Sequence, residues 1–104
     1  MNKLIDKIES LGWNVEKEGD NEYRISKFSP AGQDFGITIN GECEKDLIDS
    51  IYSKYENFDV SEETYLWLDN TGHGINGAPY HMRELLTDME ACEQMIFNLY
   101  KEIS

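Results

Sequence analysis

From Leu85 to Ile103 the apolar residues Leu85, Met89, Cys92, Ile96, Leu99 and Ile103 recur at intervals of 4, 3, 4, 3 and 4. That rhythm keeps one side of an α-helix apolar for about four turns or more, so it predicts a long amphipathic helix. A shorter version, Leu47, Ile51 and Tyr55 flanked by Ile48 and Tyr52, predicts a helix from about Glu44 to Tyr55. At the start of the chain Leu4, Ile5, Ile8 and Leu11 share one face of a helix over residues 2–11, with Asn2 as its cap and Gly12 as its stop.

Between these helices the period changes to two. Trp13, Val15 and Lys17 alternate with Asn14 and Glu16, and Tyr23 and Ile25 alternate with Arg24 and Ser26. The intervening Gly19-Asp20-Asn21-Glu22 is a tight-turn sequence, so the two runs predict a β-hairpin. After a second loop at Ser29-Pro30-Ala31-Gly32-Gln33-Asp34, Phe35, Ile37 and Ile39 mark a third strand. Ser61 is placed to cap a further short helix, with Glu62 and Glu63 in its favoured first turn. Tyr65, Leu66 and Leu68 would then be available for burial. Tyr65, Trp67 and Asp69 also fit one face of a strand, so residues 61–69 stay open between the two.

The fold class expected is α+β: an N-terminal helix, a three-stranded antiparallel sheet, and two or three helices covering one sheet face. A length of 104 residues, 39% apolar residues and the lack of low-complexity runs predict a single domain over residues 1–104. Asp6 and Glu9 lie near the start, and no apolar segment of secretory or membrane-spanning length follows, which predicts a cytoplasmic protein. Cys43 and Cys92 form no CxxC pair. They are expected to be free thiols, Cys92 buried.

Charge changes this picture most. Acidic residues number 21 and basic residues 9, a formal net charge of -12. The surplus is concentrated. Residues 1–41 carry seven acids and five bases, whereas residues 42–69 carry nine acids and two bases. Such a field repels nucleic acid and membranes and favours a partner with a basic surface.

Motifs for other chemistry fall short. Gly72-His73-Gly74-Ile75-Asn76-Gly77 matches GxGxxG by letter, but the order of elements supplies no βαβ unit, and the phosphate-binding lysine of a P-loop is missing. The region reads as a structural loop. His73 and His81 sit in no metal-ligand pattern. The stretch from Asp59 to Asp69 lacks the alternating acids, central glycine and terminal glutamate of a calcium loop. Glu62 with Glu63, or Glu84 with Asp88, are nominal acid/base pairs, with no sign of a cleft to bring them together. No cofactor or metal is expected.

The reading that best uses the charge is a non-enzymatic acidic binding module. Its proposed contact residues are Glu42, Glu44, Asp46, Asp49, Glu56, Asp59, Glu62, Glu63 and Asp69, continued on the outer face of the last helix by Glu84, Asp88, Glu90 and Glu93. The partner expected is a basic protein surface: either a nucleic-acid-binding protein, since carboxylates on rigid helices could imitate part of a phosphate array, or an unrelated basic protein that requires no mimicry. Trp67, Tyr65 and Tyr80 are candidate anchors beside the acids. The alternatives are a small enzyme with a carboxylate acid/base site, or a structural protein whose charge serves solubility.

The segments Tyr55-Glu56-Asn57-Phe58-Asp59-Val60, Leu66-Trp67-Leu68-Asp69, Gly77-Ala78-Pro79 and Arg83-Glu84-Leu85-Leu86 resemble small uncharacterised proteins of bacterial prophages and mobile elements. The likeness covers roughly half the chain and implies no chemistry. Size, acidity and element order also resemble, coarsely, phage anti-CRISPR and anti-restriction inhibitors, with no binding residue carried across.

Overall fold

The computed structural model describes residues 2–66 and 82–104. Helix α1 spans Asn2–Ser10, strands β1, β2 and β3 span Asn14–Gly19, Glu22–Phe28 and Asp34–Asn40, and helices α2, α3 and α4 span Glu44–Glu56, Val60–Leu66 and Met82–Ile103. The α+β architecture expected from the two periodicities is therefore the one observed. Among the described residues no helix is long and apolar enough to cross a membrane.

Local sequence fixes how α1 hands over to the sheet. The amide of Gly12 donates to Glu9 O and that of Trp13 to Ile8 O, the two reverse bonds that close a helix with a left-handed residue. Gly12 takes φ of 96°, which a side chain would resist. The Lys27 ammonium then donates to the Leu11 carbonyl at 3.0 Å, satisfying another end group. The chain turns back at once, and Trp13 enters the core at 4% exposure.

The sheet is an antiparallel meander in the order β1-β2-β3. Val15 pairs with Ile25 and Ile25 with Ile37, while Tyr23 pairs with Ile39, so each strand sends its apolar set to the same face. The opposite face carries Asn14, Glu16, Arg24, Ser26 and Thr38, in keeping with the alternation. Against the apolar face pack Leu4 and Ile8 of α1, Leu47 and Ile51 of α2, and Leu85, Met89, Cys92, Ile96 and Leu99 of α4. Phe35 meets Phe58 edge to face at 5.9 Å, which ties β3 to the connection between α2 and α3.

Residues 61–66 resolve as helix, but two expectations for this segment are corrected. The cap of α3 is Asp59, not Ser61: Asp59 Oδ1 accepts from the Glu62 amide at 3.1 Å, and Asp59 O from the Glu63 amide at 2.9 Å. Tyr65 and Leu66 are not buried but 66% and 61% exposed. A helix beginning at Val60 turns Val60 and Thr64 inward, four residues apart, and carries the next two positions away from the core. Leu68 and the glycine loop at 72–77 lie outside the described residues, as do His73 and His81.

Candidate protein-binding surface

The acidic face begins where β3 passes into α2. Gly41 lies so close to the first turn of α2 that a Cβ there would stand 2.7 Å from the Leu47 amide nitrogen and 2.8 Å from the Asp46 carbonyl carbon. Only glycine lets the chain approach this closely, and the approach sets α2 on its path beside β3. The Asn40 amide donates to Ser50 Oγ at 3.1 Å and reinforces the same junction. Leu47 and Ile51 then face the core, which leaves Glu42, Glu44, Asp46, Asp49 and Glu56 exposed. Glu44 and Asp46 also stand in the first turn, where the helix dipole favours negative charge.

The acids differ in how free they are. Asp49 is held by Lys45 at 2.9 Å, an exposed pair one helical turn apart that raises the lysine's pKa through the hydrogen bond and the carboxylate's charge. Asp59 gives an oxygen to the α3 cap. Glu62 is exposed, and Glu63 is half-buried beside the groove lined by Phe35, Ile37, Lys54 and Phe58. Asp69 lies outside the described residues, as do Trp67 and Tyr80.

On α4 the expected outer row is corrected at Asp88. Glu84 and Glu90 are exposed and Glu93 is half-buried, but Asp88 is 4% exposed. Its Oδ2 accepts from Ser29 Oγ at 2.6 Å and Gln33 Nε2 at 3.2 Å, and its Oδ1 from the Ala31 amide at 3.0 Å. Three donors from one loop offset the cost of burying the carboxylate. Asp88 therefore anchors the β2–β3 loop to α4 and is no part of a docking surface.

Glu84 and Asp88 do line one cleft, with Pro30, Ala31, Arg83, Thr87 and Ala91. As both Asp88 oxygens are engaged, the cleft holds a structural acceptor beside a rim glutamate, which is a poor arrangement for moving protons. Among the described residues no cluster of three or more His, Cys, Asp or Glu side chains could hold a metal ion.

One turn after Asp88, the Cys92 thiol is fully buried, as expected. Burial pushes its pKa up from 9.0 to about 12, and the negative charges of Asp88 and Glu63 act in the same direction. Cys43, at the N-terminus of α2, is exposed.

The alternation patterns did not single out an aromatic seam between α2 and α4. The rings of Tyr52 and Tyr100 lie 4.7 Å apart, those of Tyr55 and Phe97 4.8 Å, and those of Tyr52 and Tyr55 6.2 Å. The pairings run in opposite directions along the two helices, which fixes them antiparallel. Lys101 places its ammonium 5.6 Å from the centre of the Phe97 ring. Tyr52 and Tyr55 are one turn apart on α2, as Phe97 and Tyr100 are on α4. That spacing was visible in the sequence, although its pairing was not.

No family model matches the chain, and no curated protein or solved structure matches it.

Proposed function

We propose that this chain is a non-enzymatic, cytoplasmic binding module whose acidic α2–α3 face meets a basic protein surface. The observation that carries the reading is the exposure of Glu42 just before α2, Asp46 and Glu56 on it and Glu62 on α3, the two helices being joined by three residues. A helix fixes the backbone of such residues before binding, and a cationic surface offers their carboxylates charge-assisted, often bidentate, hydrogen bonds. Carboxylates set on helices present fixed negative charges of the kind a basic channel receives from phosphates. The more specific form of the proposal is therefore nucleic-acid mimicry, in which the module occupies a basic channel and blocks it without turnover.

Co-purification from the native host identifies the partner, and competition then tests the form of the proposal. Mimicry requires excess duplex or single-stranded nucleic acid to displace the module from that partner. A partner that holds nucleic acid and the module together contradicts mimicry and leaves simple docking.

A further inference from the structure

We infer that the aromatic seam of Tyr52, Tyr55, Phe97 and Tyr100 is the anchor of this interface and that it takes arginine side chains of the basic partner. The inference rests on the binding-module reading and names the chemistry of its central contact. Acids border the seam on both helices. Asp49 and Glu56 stand one turn before and after Tyr52 on α2, and Glu93 and Glu90 stand one and two turns before Phe97 on α4. Tyr52 is 37% exposed, and the other three rings are half-buried and held in place by one another.

This combination differs from a bare acidic patch and from an apolar groove. Apolar docking would bury Glu56 and Glu93 without partners, which is costly. A guanidinium satisfies both features, since its plane stacks on a ring while its edge donates to a flanking carboxylate. Lys101 already places an ammonium over the Phe97 ring, a cation–π contact within the seam. An ammonium gains less than a guanidinium here, because it cannot stack while donating in a fork. The seam should thus add to the preference for arginine that forked pairing with carboxylates gives by itself.

The test titrates the full chain with oligoarginine and oligolysine peptides of equal length at low ionic strength. The wild type should bind oligoarginine more tightly than oligolysine, with no more than about fivefold of that ratio coming from the rings, the most one cation–π contact at an exposed site supplies. In the double variant Tyr52→Leu, Tyr100→Leu the preference should fall to what the carboxylates alone give, while charge-driven binding persists. Tyr52→Leu alone, at the most exposed ring, should reduce the preference and serves if the double variant fails to fold by circular dichroism. Equal binding of both peptides to the wild type overturns the inference, and so does a preference that the leucine variants leave undiminished. Self-association of the wild type that protects Tyr52 in sedimentation and labelling experiments also overturns it, in favour of a second copy. If reversing Glu42, Asp46, Glu56 and Glu62 to lysine leaves both peptides bound as before, the binding-module reading itself fails.

Discussion

The hydroxyl of Ser29 donates to the buried carboxylate of Asp88 at 2.6 Å, joining two residues 59 positions apart in the chain. Around this bond the β2–β3 loop is organised: the Gln33 amide donates to Ser29 Oγ, and the Ser29 amide to Gln33 O. Its own helix already sets this carboxylate on the buried side, between Leu85 and Cys92, but all three of its donors come from the loop.

Removing that acceptor leaves three donors facing a cavity. Asp88→Ala should destabilise the fold by about 3 kcal/mol, and Ser29→Ala by about 1 kcal/mol. Asp88→Asn should not rescue the loss, because its amide turns donors toward donors. Urea unfolding of the single and double variants measures this. A double-mutant coupling near zero would show that the bond is not a working contact.

The two thiols should behave as different groups. Exposed Cys43 should react with a disulfide reagent in the native state, and Cys92 only on unfolding, so thiol counts per chain before and after denaturant distinguish them. The raised pKa of Cys92 also links to stability. The native state holds the thiol proton more tightly than the unfolded chain, in which the group titrates near its ordinary 9.0. Its contribution is therefore complete below pH 9 and is lost as pH rises toward about 12. Unfolding free energy measured across this window should fall more steeply for the wild type than for Cys92→Ala.

The reassigned cap makes a simple comparison. Asp59→Ala should lower stability by about 1 kcal/mol, whereas Ser61→Ala, inside the first turn, should change it by no more than about 0.5 kcal/mol. Thermal melts of the two variants check the order, and equal losses would contradict the assignment.

Much of this was legible in the chain. The seam from Leu85 to Leu99, the hairpin at Asp20-Asn21 and the alternation of β3 each follow from a period that one buried face imposes. Asp88 was partly legible too: it stands three residues after Leu85 and four before Cys92, on the buried side of α4. Its partners were not, since Ser29, Ala31 and Gln33 reach it only through the tertiary fold. The cap of α3 had a local signal as well. Asp59 is followed three residues on by Glu62, the spacing of a capping box, whereas Ser61 is followed by Thr64. The aromatic seam depends on how α2 and α4 align, which no single-helix pattern contains. The exposed acids at 42–62 were legible as composition, but their division into free, paired and capping groups required the geometry.

The most direct measurement for the binding-module account is capture of the host partner by two immobilised proteins. One is the wild type. The other carries Glu42→Lys, Asp46→Lys, Glu56→Lys and Glu62→Lys, which spares the cap at Asp59, the pair at Asp49 and the anchor at Asp88. The account predicts a basic protein that the wild type retains and releases as salt rises, and that the reversed variant, folded by circular dichroism, does not retain. Retention of the same protein by both, with elution at the same salt, would contradict it.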